Sequence, residues 1–269
     1  MRLEAAATLG LVPLVLLQFA AAETPDPLAA AALGKFLARP TIAHTYCAAR
    51  RLEASGGGQR GWVEVQTSFA PAAGFAYEVT AEGGSGYIRK RVLRSLLDEE
   101  QRLLALRSAS AALTTANYRF QPGGVTAEGL AVIGLQPLRK DRSLIAGRML
   151  LTPDEGQLVR LEGRLARNPS FWVTRVSVVR SYRAVNGAVL PVSLETTAQL
   201  RLLGSSKLRM SYRYSHVDDR AVSDDAAGSP EPPAVTFEST PSSTGVMIRS
   251  CRARITASHT GSSFFHPAA

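Results

Sequence analysis

The sequence predicts a mainly β protein with two helices (α+β), its antiparallel strands forming one curled sheet covered by those helices. Three observations carry this. Alternating apolar and polar residues recur over about ten short segments, the period of a half-buried strand. Turn residues separate these segments at short spacings, as antiparallel neighbours require. Two further segments show helical rather than strand spacing. So many strands in succession curl or close, and an apolar face on one side only needs a cover.

The amino end comes first. Residues Ala5 to Ala22 are uncharged and largely apolar, Arg2 lies upstream, and Ala20-Ala21-Ala22 precedes Glu23. This is the anatomy of a secretory signal peptide over residues 1–22, with an uncleaved anchor as the alternative, and it implies export to the periplasm or cell envelope. Glu23 to Arg39 follows, with Leu28, Ala32, Leu33 and Phe36 near helical spacing, Pro25 and Pro27 suited to a helix entry, and Pro40 ending the run. Two strand patterns come next. Val63, Val65, Thr67 and Phe69 oppose Glu64, Gln66 and Ser68; Phe75, Tyr77 and Val79 oppose Glu78 and Thr80. A Gly83-Gly84-Ser85-Gly86 loop then opens a helix over Tyr87 to Leu106. Ile88, Val92, Leu93, Leu96 and Leu97 lie on one side, and Arg89, Lys90, Arg91 and Arg94 on the other. Asp98 and Glu99 are spaced to pair with Arg102.

From Tyr118 to His216 the pattern is strand throughout. Leu161 alternates with Arg160 and Glu162. Trp172, Val176, Val178 and Tyr182 oppose Arg175, Ser177, Ser181 and Arg183. Met210, Tyr212 and Tyr214 oppose Arg209, Ser211 and Arg213. The breaks are Pro122-Gly123-Gly124, Pro153-Asp154-Glu155-Gly156, Asn168-Pro169 and Asn186-Gly187, the last a strong hairpin signal. Residues 23–217 thus form the expected folded domain. Residues 218–269, rich in Ser, Pro, Asp and Ala, read as a low-complexity, disordered tail.

Catalytic signatures are absent. The 269 residues hold no G-x-S-x-G elbow, P-loop or H-E-x-x-H pattern. His44 and His216 have no cysteine or acidic cluster at ligand spacing, and Glu99 and Glu100 read as a solvated helix face. No metal, cofactor or catalytic residue is expected. Export permits a disulfide between Cys47 and Cys251, which would close a loop of about 200 residues and stabilise the fold by a few kcal/mol.

The charge narrows the partners. The chain carries 31 Lys+Arg against 22 Asp+Glu, a net +9. Residues 23–217 hold 26 of those basic side chains and 15 of the acidic ones, so the folded part stands at +11. Clusters such as Arg50-Arg51 and Arg89-Lys90-Arg91 read as solvated faces. Few of the 18 aromatic residues are interleaved with them, so a base-stacking surface is not indicated. Export removes nucleic acid as a partner and favours an anionic membrane surface or an envelope protein.

One stretch carries a family resemblance. Ser170-Phe171-Trp172-Val173, followed by Tyr182-Arg183-x-Val185-Asn186-Gly187-x-x-Leu190-Pro191, resembles the strand–hairpin–strand of LolA-like proteins. This superfamily comprises periplasmic carriers that sort outer-membrane lipoproteins, their outer-membrane acceptors and sigma-factor regulators of the RseB type. The order of elements over about residues 26–217 is similar as well. The resemblance implies an unclosed half-barrel with helices in its mouth and an apolar cavity for lipid acyl chains or lipoproteins. Periodicity supplies the candidates for lining such a cavity: Val63, Val65, Phe75, Tyr77, Met149, Leu161, Trp172, Val176, Met210 and Tyr212. The expected function is that of an exported, non-catalytic carrier of lipid or acyl chains. An envelope sensor or scaffold of the same fold stands as the alternative. A hydrolase built around His44 or His216 stands behind both.

Overall fold

The computed structural model describes residues 26–40, 42–105, 111–201 and 204–223; the signal segment and the tail beyond 223 lie outside the described residues. Helix α1 (Pro27–Ala38) starts where the sequence places its cap: the Asp26 carboxylate accepts a hydrogen bond from the Leu28 N–H at 2.8 Å, and Pro27 needs no donor in the first turn. Ala29, Ala32 and Leu33 bury one side of it. Three strands follow, β1 (Tyr46–Gly56), β2 (Gln59–Ala70) and β3 (Gly74–Gly84). A π-helical stretch, Ile88–Arg94, then runs into helix α2 (Ser95–Ala105). The remaining strands are β4 (Tyr118–Val125), β5 (Ala131–Pro137), β6 (Ile145–Leu151), β7 (Leu158–Leu165), β8 (Val173–Val185), β9 (Ala188–Leu200), β10 (Gly204–Val217) and β11 (Arg220–Ala221).

These strands form one antiparallel sheet in the order β3-β2-β1-β10-β9-β8-β7-β6-β5-β4, with β11 added against β10. No pairing joins β3 to β4, so the sheet is not closed by hydrogen bonds. Its curvature has identifiable sources. Gly147 and Gly163 face each other in the β6–β7 ladder. A Cβ on Gly147 would sit 2.1 Å from the Glu162 carbonyl oxygen, and one on Gly163 would sit 2.4 Å from that of Ala146. Only glycine lets the two strands approach so closely at this bend. Asn186 and Gly187 both adopt positive φ (49° and 86°), as the tight turn between β8 and β9 requires. Opposite that hairpin, the β8–β9 register shifts between Ser181 and Tyr182 where Pro191 cannot donate to the ladder. Pro122-Gly123-Gly124 does not end a strand, contrary to the reading above. It lies inside β4 as a register irregularity between Pro122 and Val125.

All the helices lie on the same face of the sheet. Helix α1 packs on the β4–β7 half, with Tyr118, Ile133, Leu144, Met149 and Leu161. The π–α2 segment packs on the β1–β3 and β8–β10 half, with Leu52, Val63, Val65, Val176, Leu194 and Met210. Ile145 touches both clusters and so shows that they share one face. The π geometry explains which apolar residues of the second helix are buried. Ile88, Leu93 and Leu97 are spaced five and four residues apart, and an i→i+5 turn brings the first two onto one side. A third, smaller cluster (Ala48, Val185, Ala188, Leu190, Tyr214, Val217) fills the end beside the Asn186–Gly187 turn. The architecture is the unclosed, helix-covered half-barrel that the resemblance to LolA-like proteins implies.

The ordered chain continues past Val217. Asp218 and Asp219 form a turn at positive φ, and Arg220 and Ala221 pair back on Val217 and His216. Cys47, buried in β1, is disulfide-bonded. The one other cysteine of the chain, Cys251, lies outside the described residues.

Candidate functional site

Between the apolar cluster beneath π–α2 and the smaller end cluster runs a polar seam. On β1 the inward residues read Ala48, Arg50, Leu52 and Ala54, so strand alternation places one arginine in an otherwise apolar row. Arg51 points the other way. On the outer face it pairs with Glu53 at 2.7 Å and Glu64 at 2.6 Å, and its guanidinium lies 4.5 Å from the Trp62 ring. Arg50 is 2 % exposed. Its guanidinium donates to the Glu100 carboxylate of α2 at 2.8 Å and to the Tyr46 hydroxyl at 2.9 Å. It also stacks 4.7 Å from the Tyr212 ring and 4.9 Å from the Phe75 ring. Tyr212 is its cross-strand partner on β10.

A second arginine reaches the seam from β8. Val176, Val178 and Tyr182 point inward, and Arg180 falls in the same row. Its Nε is shielded with no hydrogen-bond acceptor, and Tyr182, Tyr212 and Glu100 lie near enough to favour its charge. Burial opposes the charge of Arg50, yet Glu100, Tyr46 and Tyr212 hold it more firmly protonated than an ordinary arginine. Burial pushes the Tyr46 phenol up to about 12, and it raises Tyr212 and Tyr214 as well. At neutral pH the tyrosines are therefore neutral partners for two cations.

The helical cover is tied to the sheet by side chains. Besides Arg50–Glu100, the Tyr77 hydroxyl donates to Asp98 at 2.5 Å, and the Gln101 amide donates to the Phe75 carbonyl at 3.0 Å. Glu82 of β3 takes Arg89 at 2.5 Å and Arg94 at 2.7 Å. Arg102 pairs with Glu99, as its spacing predicts, while Asp98 is engaged by Tyr77 instead.

The residues expected to line a cavity divide in three. Val63, Val65, Phe75, Val176 and Met210 are buried in the half beneath π–α2, with Tyr77 and Tyr212 partly buried around them. Met149 and Leu161 lie in the other half, under α1. Trp172 does not face the interior: it is 59 % exposed. Strand β8 begins only at Val173, and its pairing with β9 is irregular up to Arg175. Extending the alternation back to Trp172 therefore has no ladder to hold it. Its ring instead packs edge-on against Phe171, 71 % exposed, over which Arg201 lies at 4.3 Å. A groove of about 410 Å³ lies elsewhere, lined by Ala146, Gly147, Gly163, Arg164 and Arg175; none of the ten residues borders it.

The histidines are engaged locally. His44 Nδ1 lies 2.6 Å from the Asp218 carboxylate, whose other oxygen accepts from the Thr45 N–H at 3.0 Å. His216 meets only the neighbouring Ser215 hydroxyl, at 3.4 Å. Among the described residues, Asp218 is the side-chain partner of His44. Nor do the described residues contain three His, Cys, Asp or Glu side chains placed to hold a metal ion.

Sequence reading missed both seam arginines and Glu100. Arg50 was hidden in a charged pair, in a strand (YCAARRLEASG) whose small residues blur the alternation. Arg180 carried a readable signal, since it stands two residues from both Val178 and Tyr182. Nothing in the sequence set Glu100 apart from Glu99.

No protein-family model and no curated protein sequence matches the chain. Three solved structures are similar in backbone path. A LolA superfamily protein from Nitrosomonas europaea is 11% identical, covering 73% of this chain and 96% of its own, at a TM-score of 0.37. A DUF1329 family protein from Desulfovibrio piger is 10% identical, covering 69% and 88%, at 0.33. The MucA/MucB complex of Pseudomonas aeruginosa is matched at 12% identity, 69% and 93% coverage and a TM-score of 0.23. With TM-scores this low, the fold assignment rests on the sheet order and helix packing described above.

Proposed function

We propose that this chain is an exported, non-catalytic carrier that binds lipid or the acyl chains of lipoproteins in the half-barrel beneath the π–α2 segment. The observation that carries the reading is the nature of that cover. An apolar face of sheet is covered by a helix that contributes Ile88, Leu93 and Leu97, with Val92 and Leu96 partly buried beside them. Much of its attachment is through the polar pairs Arg50–Glu100, Tyr77–Asp98 and Glu82 with Arg89 and Arg94. The partly exposed pairs, Tyr77–Asp98 and Glu82 with Arg89 and Arg94, exchange for water at modest cost when a helix lifts, and Arg50 keeps its Tyr46 partner on the sheet. An acyl chain then replaces the apolar side chains of the segment, at about 0.8 kcal/mol per buried CH₂. The sequence segments that resemble LolA-like proteins support the same function, as does the signal-peptide pattern at residues 1–22.

Native purification from an envelope fraction followed by lipid mass spectrometry tests this directly. The expected result is co-purified lipid, and saturable uptake of a fluorescent fatty-acid probe by the delipidated protein. A protein that carries no lipid and takes up no probe would overturn the reading. The envelope sensor or scaffold is favoured by a different observation: the exposed Phe171–Trp172 pair beside Arg201 is a surface suited to contact with another macromolecule.

A further inference from the structure

We propose that the seam between Arg50 and Arg180 is the receptor for the anionic head of the amphiphile, a carboxylate or phosphate group whose hydrocarbon tail lies beneath π–α2. This deepens the carrier reading and rests on it. The charge balance is the first ground. Two guanidinium groups stand on the covered face of the sheet, the buried Arg50 on β1 and the partly buried Arg180 on β8, and one carboxylate, Glu100, answers them. An interior cation without its own counter-ion is costly, and a packed core gains nothing from it.

The second ground is the state of Arg180. Four arginines of the described residues have a shielded Nε with no hydrogen-bond acceptor: Arg50, Arg89, Arg94 and Arg180. The first three carry a carboxylate on the other end of the guanidinium, Glu100 or Glu82. Arg180 alone of the four has no such ion pair among the described residues; beside it lies the neutral Tyr182 phenol. An oxyanion binding edge-on to a guanidinium supplies both the missing charge and the missing acceptor.

The third ground is position. Arg180 is two residues from Val178, which belongs to the apolar cluster beneath π–α2, and Arg50 is likewise two from Leu52. The cationic seam therefore caps one end of the hydrocarbon-lined half. A chain with one anionic end matches that arrangement; a neutral lipid leaves the second guanidinium unanswered.

The test uses the delipidated full-length exported protein loaded with the neutral fluorophore N-phenyl-1-naphthylamine, displaced by oleate, by methyl oleate or by acetate. Hydrogen bonds to a charged partner predict that oleate displaces at concentrations about tenfold or more below methyl oleate. In Arg180→Met the two ligands converge to within about threefold, with methyl oleate little changed, while Arg180→Lys keeps part of the oleate preference. Equal displacement by oleate and methyl oleate in the wild type overturns the head-group receptor and leaves the carrier reading standing. So does an undiminished preference in Arg180→Met. Thermal stabilisation by acetate equal to that by oleate shows a receptor for small free anions and overturns the amphiphile. Failure of both oleates to displace the probe removes the carrier reading, and the receptor with it. The wild-type comparison needs no variant, so a poorly folding Arg180→Met does not remove the test.

Discussion

The two helical covers of this sheet are attached by different chemistry. Helix α1 presses Ala29, Ala32 and Leu33 into an apolar cluster. It is also fastened to the backbone of the β6–β7 turn: Lys35 donates to the carbonyls of Pro153 and Asp154, and Arg39 to that of Glu155 at 2.6 Å. The Asp26 N–H bonds the Gly123 carbonyl on its other side. The π–α2 segment also buries apolar side chains, Ile88, Leu93 and Leu97, with Val92 and Leu96 partly buried beside them, but its polar ties run to side chains of the sheet, and the buried Arg50 lies beneath it. We read the α1 half as the fixed wall, because its polar ties run to turn backbone at its flank. We read the π–α2 half as the cover, because its polar ties run to sheet side chains, Arg50 among them, that a ligand beneath it would meet.

The largest expected effect separates packing from binding. Met149 and Met210 are both fully buried, one under α1 and one under π–α2. Truncation to alanine at either is expected to cost about 2–5 kcal/mol in urea unfolding. Oleate affinity should then divide them: unchanged in Met149→Ala and weakened severalfold in Met210→Ala. Equal binding by the two variants would erase the distinction between the halves.

A smaller effect is expected at Glu100. Glu100→Gln leaves Arg50 and Arg180 in the interior with no carboxylate between them. Stability should fall by roughly 1–3 kcal/mol, a range lowered by the partial exposure of the Glu100 side chain. The loss should be local. Amide hydrogens of residues 95–105 should exchange faster, while those of 27–38 keep their wild-type protection. Uniform acceleration in both helices would show that the ion pair supports the whole fold and not the cover.

The halves also differed in how far the sequence revealed them. Strand β7 and the hairpin at Asn186-Gly187 are legible because turn residues and alternation agree there, whereas the Pro122-Gly123-Gly124 signal in β4 marks an irregularity and not an end. The interior parity of Val63, Val65, Val176 and Met210 followed from period two alone. The seam was not legible, because a charged residue at an inward position looks like any surface charge until its strand is registered. Strand β1 is the clearest case: Ala48, Ala49 and Ala54 give no contrast between faces, so Arg50 and Arg51 could not be told apart. The π-helical turn was invisible for a related reason, since Val92 and Leu93 are both apolar and the choice between them is made by packing. Trp172 failed in the opposite direction, as the alternation continued past the end of its ladder.

The smallest effect, and the one most specific to the seam, lies at alkaline pH. Burial holds the Tyr46 phenol near 12, with Arg50 acting in the opposite sense, against about 10 for an unfolded tyrosine. The folded state therefore binds this proton more tightly than the unfolded state. Its contribution to stability is complete below pH 10 and is lost as the pH rises from 10 to 12. By pH 11 the loss from this one group is about 1 kcal/mol. Tyr118, in the α1 half, is raised by burial too, but its oxygen accepts from the Ile145 N–H at 3.0 Å and it touches no buried cation. Comparing Tyr46→Phe with Tyr118→Phe between pH 9 and 11 thus probes the two halves in one experiment. Tyr46→Phe should flatten the alkaline fall in urea stability and slow the rise of tyrosinate absorbance. It should also weaken oleate binding, because Arg50 loses one of its two hydrogen-bond acceptors. Tyr118→Phe should share the first effect and lack the second. If Tyr46→Phe left oleate binding untouched, Arg50 would be held by Glu100 and the stacked rings alone. The phenol would then belong to the fold, and the seam would narrow to its two arginines and one carboxylate.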